Sequence, residues 1–259
     1  RINHGAWNKR CVRRPIPDAH GPRGRRHGSM TGQTAVIVGA SSGIGEALAR
    51  ELAERGYALG LTARREERLE GIAAELPTET HVTHMDVTET AAARETFHEL
   101  AADMGGADVV VLNAGVAPGN RDLEWGPARD TIEVNVRGFT ALATAAADHF
   151  EAEGSGQLVG MSSVAAHVGN PVVPAYHASK AYVSNYLDGV RYRFADHPAD
   201  VTVTTIEPGY VDTDLATGEL LLVPVETEAD QIADAIEAER RHVYVSKRWR
   251  LMAWARGGL

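Results

Sequence analysis

Tyr176 and Lys180 stand four residues apart, with Ser163 thirteen residues before the tyrosine. A four-residue step places phenol and ammonium on one face of a helix. A tyrosine hydroxyl ordinarily titrates near pH ~10, and a neighbouring ammonium stabilises the phenolate and should lower that value. Such a pair suits a group that gives a proton to a carbonyl or takes one from an alcohol. Taken alone, it reads as a snorkelling surface pair; the cofactor crevice is what favours the chemical reading. Ser163 is placed to hydrogen-bond a substrate oxygen, with Ser162 as its local rival. Asn135 interrupts an apolar helical stripe, and a buried amide must be hydrogen-bonded. It either holds a water that relays protons to Lys180 or satisfies a neighbouring backbone.

A second constellation lies upstream. Val38-Gly39-Ala40-Ser41-Ser42-Gly43-Ile44-Gly45 follows an apolar stretch and opens a helical pattern. Glycines allow a tight turn and close backbone approach, and the free N–H groups of the following helix favour a diphosphate. The cofactor crevice is expected to include Gly39, Ser41, Ser42, Gly43, Ile44 and Gly45. An acid at the end of the second strand would grip the free ribose diol of NAD. This chain has Ala63, Arg64 and Arg65 there. Arg64 suits a 2′-phosphate by charge and by its fork of donors, so NADP(H) is favoured, with NAD(H) as the alternative. Asp86-Val87 and Asn113-Ala114-Gly115 close the third and fourth strands and face the same crevice, although Asp and Asn also serve as ordinary caps and turns. Lys180 is also placed to hold the nicotinamide ribose.

These residues need strand ends and helices to carry them. Apolar runs predict strands near 35–38, 57–62, 82–85, 108–112, 158–161, 201–206 and 242–245. Helical spacing fits 44–54, 66–76, 89–102, 127–152, 175–195 and 228–239, with residues 127–152 as one Ala-rich helix. Strands that are apolar throughout and alternate with helices imply a parallel sheet covered on both faces. No internal repeat and no second domain is visible.

With these motifs in view, the chain resembles the short-chain dehydrogenase/reductase family. The resemblance rests on the glycine turn, Asp86, Asn113-Ala114-Gly115, Asn135, Ser163, Tyr176-His177-Ala178-Ser179-Lys180 and the run from Pro208 to Thr213. Val38 stands where the family's first glycine motif usually has Thr. The resemblance implies an α/β Rossmann-like doubly wound sheet of about seven parallel strands, order 3-2-1-4-5-6-7. It assigns Asn135, Ser163, Tyr176 and Lys180 to catalysis. The cofactor contacts it implies are Gly39, Gly43, Gly45, Arg64, Asp86, Asn113 and Thr213, with Arg65, Val87, Pro208, Gly209 and Val211 beside them. It further implies hydride transfer between nicotinamide and a ketone or secondary alcohol, with Tyr176 moving the proton and Ser163 steadying the oxyanion. A homodimer or homotetramer is expected, and the alanines at 141, 143, 145 and 147 either permit close helix approach there or pack on the sheet. A non-catalytic dinucleotide-binding sensor or scaffold is the competing class.

The substrate is expected over residues 164–175 and under the segment after Gly209, with His167, Val168, Val173, Tyr210 and Leu215 as walls. His167 reads as a loop or wall residue. The charge is uneven: residues 1–29 hold eight Lys/Arg against one acid, and the rest hold 18 against 34. The basic segment lacks helical or strand periodicity. It reads as a tag or read-through stretch ahead of Met30, or as a natural flexible arm. The acidic body argues against nucleic acid as a partner. Cys11 is the only cysteine, which excludes an intrachain disulfide or a cysteine metal site, and no metal site is expected. No apolar run reaches the ~18 residues that span a bilayer, so a cytoplasmic protein is expected. One catalytic domain is assigned to residues 30–246. The basic, Trp-containing tail 247–259 reads as protein packing, with a membrane-surface helix as the weaker alternative.

Overall fold

The computed structural model describes residues 32–209 and 224–245. The expected basic arm, the C-terminal tail, Tyr210, Val211, Thr213 and Leu215 lie outside the described residues.

Seven strands form one sheet: β1 (Thr34–Val38), β2 (Ala58–Ala63), β3 (Thr80–His84), β4 (Val109–Leu112), β5 (Ser155–Met161), β6 (Asp200–Glu207) and β7 (His242–Tyr244). Every pairing is parallel, and the order is β3-β2-β1-β4-β5-β6-β7. Parallel strands need long crossovers, here supplied by α1 (Gly43–Glu54), α2 (Glu66–Ala73), α3 (Thr90–Asp103), α4 (Trp125–Ile132), α5 (Phe139–Glu153), α6 (Pro174–Ala195) and α7 (Val225–Glu237). The chain works outward from β1 to β3, then returns to lay β4 on the other side of β1. That reversal leaves a crevice beyond the carboxyl ends of β1 and β4.

Two apolar layers sandwich the sheet. Leu48 and Leu52 of α1, Leu69 of α2, and Ile232 and Ile236 of α7 pack with Ile37, Leu59 and Leu61 on one face. Phe97 of α3, Leu142 and Phe150 of α5, and Leu187 of α6 pack with Val36, Val110 and Leu158 on the other. Both faces are dry, which is why the central strands read as unbroken apolar runs. Ala143 and Ala145 are buried in the second layer, so these two alanines pack inside the subunit. Truncating Leu187 there would cost about 2–5 kcal/mol.

One element departs from expectation. Residues 127–152 are not one regular helix: a π-helical turn, Glu133–Gly138, separates α4 from α5. Gly138 passes so close to the preceding β3–α3 connection that a Cβ there would lie 2.7 Å from Val87 O. Among the described residues, no helix is long and apolar enough to cross a membrane.

Candidate active site

The glycine turn is built from mutual backbone contacts. Gly39 has φ +87° and Gly43 has φ +57°, a left-handed conformation that side chains with a Cβ resist. Gly39 N and Ala40 N both donate to Thr62 O, which ties the turn to β2. Asn113 Nδ2 donates to Gly39 O at 2.7 Å, tying it to β4. Gly45 does not line the crevice but backs it: a Cβ there would meet Gly39 O at 2.2 Å and Asn113 Nδ2 at 2.5 Å. Ser42 stands at the N-cap of α1 without a side-chain capping bond, so the first amides of that helix have no intrahelical acceptor.

The crevice at the switch point has a volume of about 550 Å³. Its lining includes Gly39, Ser41, Ser42, Gly43, Ile44, Arg64, Arg65, Asp86, Val87, Asn113, Ala114 and Gly115, all singled out from sequence. Met85, Val116 and Val134 also line it; apolar side chains next to motif residues gave no signal of their own. The two arginines behave differently. Arg65 bends back over the glycine turn, its Nη2 donating to Ser42 Oγ at 2.8 Å and Ser41 Oγ at 3.1 Å. Arg64 is exposed on the rim and makes no hydrogen bond or ion pair with a described residue. Burial pushes the Asp86 carboxyl up, but the Thr88 amide at 2.9 Å, the Thr88 hydroxyl at 2.8 Å and the Arg64 charge outweigh it and hold it below the usual range.

Tyr176 and Lys180 both lie in the first two turns of α6, whose start is set by Pro174 in the first helical turn. The Lys180 amine lies 5.6 Å from the centre of the Tyr176 ring. Lys180 is only 6% exposed, and its amine donates to Met161 O at 2.8 Å. Burial pushes its pKa down to about 8. The amine also marks the inner end of the crevice: a Cβ on Gly115 would sit 3.4 Å from it and 3.5 Å from Asn135 Oδ1. Tyr176 is half-buried on the same helix.

Ser163 and Ser162 divide cleanly. Ser162 Oγ points under α6, meeting Lys180 O at 2.9 Å and Ser184 Oγ at 2.7 Å. Ser163 Oγ accepts from Ala165 N at 3.1 Å and reaches Pro208 O only at 3.4 Å. Its proton is thus weakly held and transferable to a better acceptor. Pro208 O lies against Ser163 and Val164, and neither Pro208 nor Gly209 is among the residues that line the crevice. Asn135 sits in the π-turn with its amide fully used: Nδ2 donates to Val116 O at 2.9 Å and Ser179 Oγ at 3.0 Å, and Oδ1 accepts from Val116 N at 2.8 Å. Ser179 passes its own proton to Tyr176 O at 2.7 Å. The Asn135 side chain thus bonds both the Val116 backbone and the Ser179 hydroxyl. Val116 was not singled out from sequence, and Ser179 entered only as part of the run from Tyr176 to Lys180, because neither carries an unusual residue type.

Residues 33–220 match the family model described as short chain dehydrogenase. The chain belongs to the short-chain dehydrogenase family. An uncharacterised oxidoreductase of Mycobacterium tuberculosis is 36% identical over 222 residues, covering 81% of this chain and 87% of the relative. A cis-4-hydroxycyclohexanecarboxylate dehydrogenase of Sinomonas cyclohexanicum is 34% identical over 209 residues, covering 78% and 80%. Among solved structures, an alcohol dehydrogenase of Thermococcus sibiricus complexed with 5-hydroxy-NADP superposes with a TM-score of 0.73 at 28% identity, covering 82% of this chain and 95% of that one. Short-chain dehydrogenases are oxidoreductases, and the Rossmann-like fold of this one matches the family in strand number and order.

Proposed function

We propose that this short-chain dehydrogenase is an NADP(H)-dependent oxidoreductase acting on a ketone or secondary alcohol, with Tyr176 as general acid/base. The observation that carries the reading is a buried amine that lies 5.6 Å from the centre of a tyrosine ring and 3.4 Å from where a Cβ on the crevice-lining Gly115 would stand. The relatives support it by what their names state: one oxidises a cyclic secondary alcohol, and one was solved with a modified NADP. The crevice fits such a group: it is large, glycine-floored, and free of an acid at the end of β2. Arg64, Arg65 and the serines of the turn would hold the 2′-phosphate side, and Asp86 the adenine. Bound there, the nicotinamide would supply or accept the hydride. Tyr176 gives its proton to the substrate oxygen in reduction and takes one in oxidation. Ser163 turns its hydroxyl from Pro208 O to that same oxygen and stabilises the charge developing on it. Lys180 holds positive charge next to the phenol and reaches the crevice through Gly115. A homodimer or homotetramer belongs to the same reading, since Tyr182 and Tyr192 of α6 stay exposed on one subunit.

A panel of ketones and alcohols, followed by nicotinamide absorbance with NADP(H) and NAD(H) in separate assays, tests this. Turnover should prefer NADP(H). Tyr176→Phe should lower kcat by about 10²–10⁴-fold, and Arg64→Ala should weaken NADPH by roughly ten- to a hundredfold while sparing NADH. Dinucleotide binding without turnover across the panel would instead identify a sensor, and equal kinetics with both cofactors, untouched by Arg64→Ala, would remove the NADP assignment.

A further inference from the structure

A carboxylate stripped of water costs several kcal/mol unless its lone pairs find donors. Glu207, the last residue of β6, is 0% exposed. Three other elements supply its donors. Ser184 of α6 donates to Oε1 at 2.9 Å. His167, at the end of the short 3-10 turn Val164–His167, meets Oε2 at 2.7 Å. His242, the first residue of β7, meets the same oxygen at 3.4 Å. Burial pushes the Glu207 carboxyl up, but the hydrogen bonds and charges of His242 and His167 outweigh it and hold it below the usual range. An ionised carboxylate only accepts, so both imidazoles present Nε2–H. Among the described residues, Tyr244 is a further titratable group against this cluster. Its ring stacks on His242 with centres 4.9 Å apart and lies 6.1 Å from His167.

The donors are attached to the catalytic groups. The 3-10 turn that ends at His167 begins directly after Ser163, and Val164 N donates to Pro208 O, one residue beyond Glu207. Ser184 lies one helical turn beyond Lys180. It gives its single proton to Glu207, so the 2.7 Å contact with Ser162 is donated by Ser162, which shares that proton with Lys180 O. One carboxylate therefore joins the turn that carries Ser163 to the helix that carries Tyr176 and Lys180. We propose that Glu207 is a positioning residue for the reaction. Its buried charge, gripped by His167, His242 and Ser184, fixes the Ser163 hydroxyl relative to the Tyr176–Lys180 pair. This rests on the hydride-transfer reading above for its catalytic half only.

The test compares wild type with Glu207→Gln, which keeps size and removes charge, and with His167→Ala and His167→Gln. Three quantities are read: amide hydrogen exchange, the NADPH dissociation constant, and kcat and KM on the panel substrate turned over fastest. In Glu207→Gln, the amides of Ala165, Ala166 and Val168, which are bonded within the turn, should exchange about tenfold faster or more, with β1–β3 unchanged. The NADPH dissociation constant should stay within about twofold because none of these residues lines the crevice, while kcat falls about ten- to a hundredfold from misplacement of the hydroxyl. His167→Ala should loosen the same amides, and His167→Gln, which restores a donor, should recover most of the loss. Unchanged exchange in Glu207→Gln overturns the proposal. So does unchanged kcat, or a kcat loss that comes with weakened NADPH binding and general loss of protection. Should Glu207→Gln fail to fold, the His167 pair decides the matter, since His167 is 36% exposed and its removal leaves the core intact. If no panel substrate is turned over, the reading of the active site falls with the catalytic half, and exchange still decides the clamp.

Discussion

Lys180 carries its charge where water hardly reaches, with one backbone carbonyl for company. Such a group is a stability cost that only function explains. Its pKa, about 8 in the folded chain against 10.5 for an ordinary lysine, gives the sign. Below pH 8 both states are protonated and the folded one bears the full penalty of burial. Between pH 8 and 10.5 the unfolded chain holds the proton and the folded chain has released it, so stability rises with pH in that window. Lys180→Met should therefore stabilise the nucleotide-free protein by about 1–3 kcal/mol at pH 7, after allowing for the lost bond to Met161 O. The advantage should shrink as pH climbs from 8 to 10.5. Thermal melts across that range read it, and the variant should have lost turnover. A variant less stable than wild type at pH 7 would contradict this account.

At the scale of elements, the glycine turn is a three-way junction between β1, β2 and β4, closed by Thr62 O and Asn113. Gly45→Ala should open it, because a Cβ 2.2 Å from Gly39 O leaves no room. The expected result is a stability loss of about 1–3 kcal/mol, together with a loss of dinucleotide affinity, both measurable by melting and calorimetry. This junction was legible in the sequence because its glycines and Asn113 occur in short contiguous motifs. The strands were legible too, since a sheet dry on both faces leaves unbroken apolar runs such as Val109–Leu112. The π-turn was not: its residues, Glu133 to Gly138, keep helical composition, and one extra residue per turn leaves no compositional mark. Nor was the Glu207 cluster, whose donors His167, Ser184 and His242 are scattered along the chain and meet only once β5, β6 and β7 are paired. The sequence singled out Arg64 and Arg65 together, and only the fold separates them, one turned to the serines and one left on the rim.

For the whole molecule, one buried acid gives stability a pH dependence. Glu228, in the first turn of α7, is fully buried, and among the described residues neither carboxyl oxygen has a hydrogen-bond partner. Burial alone raises its pKa to about 8 from 4.5. The folded chain keeps this proton while the unfolded chain releases it, so global stability should fall as pH rises from 4.5 to 8, by about 3–5 kcal/mol from this one group. Glu228→Leu should melt higher than wild type, with a gap that widens across that window and is flat above it; a constant gap would refute the assignment. The π-turn has a consequence at the same scale. One residue inserted into a helix turns everything after it by about 100° around the axis. The apolar stripe of α5, which includes Leu142, Ala146 and Phe150, owes its aim at the sheet to that offset. Excising a single residue between 133 and 138 would swing Asn135 off Val116 and rotate the stripe toward solvent, so the helix that frames the cleft and the helix that covers the sheet are phased by one surplus amino acid.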